Sequence, residues 1–381
     1  ESIIGNCPNL SDIEAARNII DYLGCKTADD GHVVAIHTGG LSKSDIPTHL
    51  MREMRSSIVF LGAILAKTGR ARISFPGGCE LGPRPIDLHI YGLSRLGAEI
   101  SEDHGYIDCT LPNGLTGAHV ALSFPSVGAT ENIMIAATLA KGETSISNAA
   151  REPEIIDLAN YLNACGARIK GAGESTIYID GVHELHGVSH EVIPDRIAAA
   201  TFLCAAAVTK GEILLKDIKP RHIGAIIPVL EQAGCRVIIS NNSIYLKNSA
   251  RPKAMQTIRT MPYPGFPTDA QAPIMAVAAI AEGSSMFVEN IFENRFKHVA
   301  ELCRLGAKIK LEGRVAVVEG VSTLYSANVE CTDLRGGAAL VVAALAAEGV
   351  TEINSVRHID RGYEKMEDTL TALGAHIKRV E

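Results

Sequence analysis

The stretch PEIIDLANYLNACGARIKGAGESTIYID, residues 153–180, contains the pattern that decides the fold. Its first half has apolar residues at the i, i+3, i+4 and i+7 spacing of an amphipathic helix from Ile155 to Leu162. A proline suits the first helical position, and Gly166 suits the end. Two short runs that follow, 167–170 and 176–180, flank a Gly-Ala-Gly turn and predict a β-hairpin. The stretch therefore predicts a helix followed by a hairpin.

The glycine that ends this helix recurs along the whole chain, with 73, 69, 68, 72 and 68 residues between successive copies. A second marker, an Ala-rich helix closed by glycine and followed by a strand, recurs in phase with the first. Two markers with one period indicate a repeated structural unit. The first marker is Gly24, Gly97, Gly166, Gly234, Gly306 and Gly374, and the second is Gly69, Gly142, Gly211, Gly283 and Gly349.

Each repeat reads as helix, hairpin, helix and strand. The second helix, for example residues 197–208, is apolar nearly all round, which is typical of a buried helix. Six such units divide most simply into two domains of three, residues 1–193 and 194–381. The predicted class is therefore α/β (α+β), with buried helices inside and sheets outside.

The phase of the second marker places a further copy of it at or just before Glu1. We therefore expect the chain to begin inside a unit, with residues 1–5 as the strand that follows an absent buried helix. We also expect a chain extended at this end to be more stable and more active, because uncovered core side chains destabilise a fold.

Composition and charge limit the function. The chain of 381 residues is 46% apolar, yet no apolar run approaches the roughly 18 residues that cross a bilayer. The nine cysteines are scattered and never spaced Cys-x-x-Cys, which argues against a disulfide framework or a zinc site and favours a reducing cytoplasm. The net charge is -7, with no Trp and no long basic run, so nucleic acid is a poorly supported partner.

Residues 76–87, PGGCELGPRPID, combine a thiol, an arginine and a carboxylate in one loop bounded by prolines. Glycines permit close approach to a ligand, and Arg84 lies near enough in sequence to favour the thiolate of Cys79. A reactive loop and an exposed turn with an incidental cysteine both fit this spacing.

Nine stretches, in this order, together with the repeat, resemble the enolpyruvyl transferases along essentially the whole chain. They are Met54–Ile58, Pro76–Ile90, Pro125–Thr130, Ala150–Glu154, Pro194–Arg196, Phe266–Asp269, Ile291–Arg295, Thr332–Arg335 and His358–Tyr363.

The resemblance implies a two-domain inside-out α/β barrel, each domain built from three repeated units. It is closest to the members that act on UDP-N-acetylglucosamine. It implies transfer of the enolpyruvyl group of phosphoenolpyruvate to the 3-hydroxyl of that sugar by addition and elimination, with release of phosphate. This is the first committed step of peptidoglycan synthesis, and it uses no cofactor. The sequence leaves the oligomeric state open.

The resemblance also implies the groups that move protons. Cys79 matches the family cysteine that protonates the methylene carbon of phosphoenolpyruvate and can form a covalent adduct, although a buried inert thiol is the alternative. Asp269 matches the carboxylate beside the sugar hydroxyl. It would also suit a helix N-cap before Ala270.

Arginines match the positions that bind the phosphate and carboxylate of phosphoenolpyruvate, anions to which guanidinium groups are well suited. Arg84, Arg335 and Arg361 match directly. Arg295 is a further candidate, for which a surface or helix-capping role is the alternative.

The uridine diphosphate part of the substrate is assigned to three segments. Ser126, Val127 and Gly128 open a helix, where backbone N–H groups attract anions, although Ser126 could merely cap that helix. The resemblance adds Ile291 for the sugar pocket. It also adds Arg55 and the run Arg84, Pro85, Ile86, Asp87 and Leu88 for the nucleotide.

The sequence departs from the family at several positions. Phe124 and Tyr263 stand where other members can have Lys and His, and a Lys-Asn pair found in the family is not present at the start of this chain. A shikimate 3-phosphate enolpyruvyl transferase, a truncated or non-catalytic paralogue that binds nucleotide sugar, and a repeat scaffold are the alternative interpretations.

Overall fold

The computed structural model describes residues 1–75 and 86–380, and these residues form two compact units that meet in sequence at Ile193 and Pro194. We call them the first unit and the second unit. The predicted cysteine loop, residues 76–85, lies outside the described residues.

The first unit alternates helices with short strands. Its elements are β1 (Ser2–Gly5), α1 (Ser11–Tyr22), β2 (Lys26–Asp30), β3 (Val33–His37), β4 (Asp45–Ile46), α2 (Thr48–Glu53), a 3₁₀ helix (Arg55–Val59), α3 (Phe60–Thr68), β5 (Arg70–Ser74), α4 (Asp87–Arg95), β6 (Glu99–Asp103), β7 (Tyr106–Thr110), β8 (His119–Ala121), α5 (Val127–Ala137), β9 (Glu143–Ser147), α6 (Pro153–Ala164), β10 (Arg168–Lys170), β11 (Thr176–Asp180) and β12 (Ser189–Glu191).

The second unit repeats the alternation. Its elements are α7 (Arg196–Val208), β13 (Glu212–Lys216), a 3₁₀ helix (Pro220–Ile223), α8 (Ile227–Gln232), β14 (Arg236–Ser240), β15 (Ser243–Lys247), β16 (Ile258–Arg259), α9 (Thr268–Ala279), β17 (Ser284–Val288), a 3₁₀ helix (Arg295–Lys297), α10 (His298–Arg304), β18 (Lys308–Glu312), β19 (Val315–Glu319), β20 (Leu324–Tyr325), β21 (Asn328–Glu330), α11 (Leu334–Ala344), β22 (Ala347–Glu348), β23 (Glu352–Asn354), a 3₁₀ helix (Val356–His358) and α12 (Met366–Ala372).

The predicted helix and hairpin of residues 153–180 are confirmed. Helix α6 starts at Pro153, and β10 and β11 pair antiparallel around the Gly-Ala-Gly turn. Ile177 and Ile179 of β11 are buried whereas Tyr178 faces solvent, as alternation along a strand requires.

The all-apolar helices lie in the cores. In the second unit α7, α9 and α11 contact one another, and nearly every residue of α9 is buried. In the first unit α3 and α5 contact each other, and α4 and α6 pack against α5. This confirms the expectation of buried helices covered by sheets. No helix in the described ranges is long and apolar enough to cross a membrane.

The strands that follow α3, α5, α7 and α9 pair antiparallel with the hairpin of their unit, whereas β22 and β23, which follow α11, pair in parallel with β20 and β21. In four sheets a further short strand pairs in parallel with the strand that also pairs with the hairpin, as β12 does with β1 and β8 with β9. The repeat pattern in the sequence does not predict these added strands. Among the described residues, the sheet β13-β15-β14 has three strands.

The glycine markers behave almost as the repeat predicts. All six glycines of the first marker have positive φ, near 100°, for example 103° at Gly166, a conformation that favours glycine. Gly211 differs in conformation from the other four glycines of the second marker, which all have positive φ. Its φ is not positive, and Lys210, one residue earlier, takes φ 53° instead, after α7 has ended at Val208.

Candidate active site

The starts of the three central helices of the second unit each have an aspartate, and two of the three act as helix caps. Asp195 accepts from the backbone N–H groups of the first turn of α7 at 2.7 and 2.9 Å. Asp333 does the same for α11 at 3.1 and 3.0 Å. Asp269 does not cap α9, because the N-cap residue is Pro267 and Asp269 lies within the first turn. The N-cap interpretation of Asp269 is therefore wrong.

The carboxylate of Asp269 instead contacts two arginines. Arg295 Nη2 lies 2.7 Å from Asp269 Oδ1 and also donates to Thr268 O at 3.2 Å. Arg335 Nη2 lies 3.9 Å from Asp269 Oδ2. Arg295 is only 3% exposed, so its alternative as a surface residue is wrong. The sequence-predicted residues Asp269, Arg295 and Arg335 thus meet in one cluster.

A second set of contacts fixes Arg335. Its guanidinium lies over the ring of Tyr363, with 5.4 Å to the ring centroid, and the Tyr363 hydroxyl lies 2.8 Å from the hydroxyl of Thr201. Burial alone would lower the pKa of Arg335, but Tyr363, Asp269 and Asp195 together raise it above its ordinary value. Arg335 is therefore a permanent cation. Arg361 lies half-buried in the turn two residues before Tyr363.

Glu289 is a site-organising residue that the sequence analysis missed. Its side chain is fully buried at the end of β17, and Oε1 accepts from Thr260 Oγ1 at 2.9 Å and from the backbone N–H groups of Ile291 and Phe292 at 2.8 and 3.0 Å. Its Oε2 accepts from Thr268 Oγ1 at 3.0 Å. One carboxylate therefore connects the residue before Asp269 to the loop that contains Ile291.

His298, the first residue of α10, is buried beside this cluster. Burial lowers the pKa of His298 to about 4, with Asp333 raising it and Arg295 lowering it further. The ring is therefore neutral at neutral pH. Arg295 thus faces an uncharged imidazole rather than a second cation.

The sequence-predicted nucleotide segments of the first unit lie on three elements. Arg55 begins the 3₁₀ helix that leads into α3, Asp87 and Leu88 begin α4, and Ile86 directly precedes α4. Val127 and Gly128 begin α5. Cys79, Arg84 and Pro85 lie outside the described residues.

These three elements are joined by the side chain of Asn132 on α5. Its Nδ2 lies 3.1 Å from Ile58 O and 3.0 Å from His89 Nδ1, and its Oδ1 lies 2.7 Å from Gly62 N. Asn132 is fully buried. Segments about 70 residues apart in sequence are therefore held together by one amide.

Ser126 is the N-cap residue of α5, because its Oγ accepts from Ala129 N at 3.3 Å. The structure therefore confirms the capping role of Ser126. Capping uses one of the N–H groups at a helix start, and the others have no partner within the helix itself. Phe124, at the position where relatives can have Lys, is 40% exposed.

Glu131, next to Asn132 on α5, has an unusual carboxyl. Burial, and to a smaller extent the neighbouring Glu154 and Glu152, raise the pKa of Glu131 to about 7. The first unit thus contains an acid that titrates near neutrality.

The cysteines in the described ranges are free, and most are buried. Burial raises the pKa of Cys109 and of Cys331 to about 12 and of Cys235 to about 11, so these thiols are unreactive at neutral pH. Cys303 is exposed. In the described ranges, no group of three or more His, Cys, Asp or Glu side chains is placed to hold a metal ion.

Two solved structures with this fold are an enolpyruvyl transferase and an EPSP synthase. The enolpyruvyl transferase NikO from Streptomyces tendae superposes with a TM-score of 0.89, at 24% identity, over 99% of this chain and 90% of that one. EPSP synthase from Acinetobacter baumannii superposes with a TM-score of 0.74, at 19% identity, over 100% of this chain and 91% of that one. These similarities identify the fold.

Sequence comparison identifies the family. The family described as EPSP synthase (3-phosphoshikimate 1-carboxyvinyltransferase) matches residues 1–370, and the chain belongs to it. Curated relatives have a more particular name. UDP-N-acetylglucosamine 1-carboxyvinyltransferase 2 of Caldanaerobacter subterraneus subsp. tengcongensis is 51% identical over 100% of this chain and 91% of its own length. The protein of that name from Carboxydothermus hydrogenoformans is 52% identical over 98% and 89%. The Geobacter metallireducens UDP-N-acetylglucosamine 1-carboxyvinyltransferase is 49% identical over 99% and 90%.

Proposed function

We propose that this chain transfers the enolpyruvyl group of phosphoenolpyruvate to the 3-hydroxyl of UDP-N-acetylglucosamine, with release of phosphate, as the first committed step of peptidoglycan synthesis. The observation that carries the proposal is the carboxylate of Asp269, held 2.7 Å from Arg295 and 3.9 Å from Arg335. The name shared by relatives about 50% identical to this chain supports the choice of acceptor.

The reaction needs one base and one acid. In the addition step the sugar hydroxyl oxygen forms a bond to C2 of phosphoenolpyruvate, Asp269 takes the hydroxyl proton, and Cys79 gives a proton to C3. In the elimination step the C2–O bond to phosphate breaks and C3 loses a proton, which restores the double bond. Arg295 keeps the base aimed, because its Nη2 donates to Asp269 Oδ1 at 2.7 Å.

Phosphoenolpyruvate has a phosphate and a carboxylate, both anionic throughout. Arg335 is a permanent cation with a fixed side chain, and we assign it, with Arg361 and Arg84, to these anions. The geometry of Arg295 supports a different role from the one expected, namely orientation of Asp269 rather than direct binding of phosphoenolpyruvate.

We assign the nucleotide diphosphate to Arg55, the run from Arg84 to Leu88, and the start of α5 at Ser126, Val127 and Gly128. We assign the sugar to Ile291, whose backbone is held by Glu289 at 2.8 Å. No further cofactor is needed for this chemistry.

Phosphate release from phosphoenolpyruvate tests the proposal. We expect release with UDP-N-acetylglucosamine and none with shikimate 3-phosphate as acceptor. Release only with shikimate 3-phosphate would favour the activity for which the family is named. Asp269→Asn should lower the rate of release by about 10²–10⁴, whereas Asp180→Asn, on an exposed strand position, should leave it unchanged.

We further propose that the reaction takes place in the cytoplasm and that an epoxide of the fosfomycin type alkylates Cys79. The eight free cysteines of the described ranges fit a reducing compartment. Cys303, being exposed, is the internal control for labelling. Mass spectrometry should find the adduct on Cys79, and Cys79→Asp should prevent it. Label found on Cys303 in the wild-type protein would argue against a special reactivity of Cys79.

A further inference from the structure

Asn132 is placed where three candidate nucleotide segments converge. Its hydrogen bonds reach the 3₁₀ helix that Arg55 begins, through Ile58 O, and α3, through Gly62 N. A third contact reaches α4 through His89, one residue after Leu88. Asn132 itself lies on α5, one turn after Gly128.

Close helix approach makes this convergence possible. A Cβ added at Gly62 would lie 2.3 Å from Asn132 Oδ1, and one at Gly92 would lie 2.1 Å from Ile133 Cδ1. Real Cβ atoms do not come so close, so glycine at these two positions allows α3 and α4 to touch α5. Asn132 lies inside that contact, where each buried polar atom needs a partner.

The orientation of the Asn132 amide follows from its partners. The backbone N–H of Gly62 can only donate, so the atom 2.7 Å away must be the amide oxygen. The amide nitrogen then faces Ile58 O, which can only accept, and this contact uses one of its two hydrogens. The second hydrogen is directed at His89 Nδ1, 3.0 Å away.

The protonation of His89 follows in turn. Because Asn132 Nδ2 donates to Nδ1, Nδ1 must accept, and an imidazole that accepts at Nδ1 is neutral with its proton on Nε2. A Cβ added at Gly128 would lie 3.4 Å from His89 Nε2 and 3.2 Å from His89 Cε1. The Nε2–H edge of the ring therefore lies beside the first turn of α5.

We propose that Asn132 is a positioning residue of the nucleotide-sugar site, which fixes His89 as the neutral Nε2–H tautomer and so presents a hydrogen-bond donor beside Gly128. The inference rests on the proposed function, because that function places an anionic diphosphate at the start of α5. A donor at this point suits an anion, whereas the lone pair of the other tautomer would repel it. Asn132 acts through His89 and through the three segments, without touching substrate.

Histidine ¹⁵N spectra of the wild-type protein at pH 7.5 test the tautomer directly. The thirteen histidines are distinguished by the loss of one set of signals in His89→Gln. We expect the shifts of a neutral Nε2–H ring for His89. Shifts of the Nδ1–H tautomer or of an imidazolium would overturn the proposal, and this measurement needs no folded Asn132 variant.

Asn132→Asp tests the consequence for binding. It retains an acceptor for Gly62 N–H but replaces the amide nitrogen that donates to Ile58 O and to His89 Nδ1 by a carboxylate oxygen, which favours a proton on Nδ1. We expect the ¹⁵N signature of His89 to change, the Kd for UDP-N-acetylglucosamine to rise roughly tenfold or more, and kcat at saturation to change less. A His89 signature and a Kd both equal to wild type would overturn the proposal.

Asn248→Asp is the matched control. Asn248 is buried and donates to Ala207 O at 2.7 Å in the second unit, so the variant loses a comparable hydrogen bond. It should lower Tm without altering the His89 signals or the Kd. If the Kd for UDP-N-acetylglucosamine rises equally in Asn132→Asp and Asn248→Asp, Asn132 contributes only to the stability of the fold, and the proposal is wrong. The wild-type protein could show the expected tautomer of His89 and yet fail to bind UDP-N-acetylglucosamine. That result would reject the proposed function but not the protonation state of His89.

Discussion

In the first unit the elements around the start of α5 are joined by a neutral amide and an imidazole, whereas in the second unit the start of α9 is surrounded by ions. Asn132 has three hydrogen-bonding partners in the first unit, and Asp269 meets Arg295 and Arg335 in the second. The same repeat thus supports two kinds of helix start. The neutral kind suits recognition of a ligand by fixed dipoles, and the ionic kind suits proton transfer and the binding of small anions.

The two kinds of network also differ in their cost. Arg295 is buried whereas its partner Asp269 is 42% exposed, so removal of the carboxylate leaves a buried guanidinium uncompensated, at a cost of at most about 3–5 kcal/mol. Loss of one neutral buried hydrogen bond costs only about 1–3 kcal/mol. Substitutions in the second unit should therefore have the larger effects.

Asp269→Asn should have the largest effect of all. It removes the proposed base and leaves the buried Arg295 without its carboxylate partner. We expect kcat to fall by about 10²–10⁴, the usual contribution of a general base. Steady-state phosphate release measures it, and a variant with more than a tenth of the wild-type kcat would remove Asp269 from the chemistry.

Arg335→Ala should weaken the use of phosphoenolpyruvate by roughly 2–5 kcal/mol, expressed as kcat/KM, because one partner of a desolvated charge pair is lost. Arg55→Ala is the comparison in the first unit and should act on the nucleotide sugar. KM values measured for phosphoenolpyruvate and for UDP-N-acetylglucosamine distinguish the effects of the two variants. If Arg335→Ala changes only the nucleotide-sugar KM, the assignment of ligands to the two units is reversed.

One titratable group in each unit, Glu131 in the first and His298 in the second, should make the free energy of unfolding depend on pH in opposite directions. The pKa of His298 is lowered to about 4 in the folded state, so its stabilising contribution is present above its unfolded pKa near 6.5 and is lost as the pH falls towards 4. The pKa of Glu131 is raised to about 7, so stability is lost as the pH rises from 4.5 to about 7.

Urea denaturation from pH 4.5 to 8 measures this contrast. The free energy of unfolding of Glu131→Gln should exceed that of wild type by roughly 1–3 kcal/mol at pH 8 and by little at pH 4.5. The free energy of unfolding of His298→Gln should rise relative to wild type as the pH falls. Parallel pH profiles for wild type and both variants would contradict the assignment.

Two glycine substitutions, Gly166→Ala in the first repeat marker and Gly211→Ala in the second, should have the smallest effects. Their effects on stability show whether the two markers have the same conformational requirement. Gly166 has φ 103°, where alanine is strained by about 1–2 kcal/mol. Gly211 lacks positive φ, and an added Cβ would lie 3.2 Å from Thr209 Oγ1, the end of a side chain, and 3.8 Å from Ala206 O. Thermal denaturation should show a lower Tm for the first variant, and an equal loss in both would mean that Gly211 has a requirement beyond its φ.

The sequence was sufficient for the features that depend on local chemistry. The repeat, the helix of residues 153–164, the buried apolar helices and the capping alternative for Ser126 all follow from spacing and residue type. The family resemblance supplied Asp269, Arg295 and Arg335, and the structure brings these together. Their ligand roles remain proposals.

Other features could not be predicted because they depend on tertiary packing. Nothing in the apolar run around Asn132 indicates that its partners lie 43 to 74 residues away. Glu289 follows a strand in sequence and reads as an exposed strand end, yet it is fully buried and its carboxylate accepts from four donors in three separate segments. The same reason explains Arg295, whose burial depends on where α9 begins.

The hydrogen bonds of Glu289 limit how this chain could be altered to accept a new acceptor. The loop at Ile291 is the natural place to alter sugar specificity by selection, but its backbone shares a carboxylate with Thr268, the neighbour of the proposed base. A loop substitution that shifts Glu289 would misalign Asp269 as well. Directed evolution of acceptor preference should therefore require compensating changes near Thr260 or Thr268 before turnover recovers.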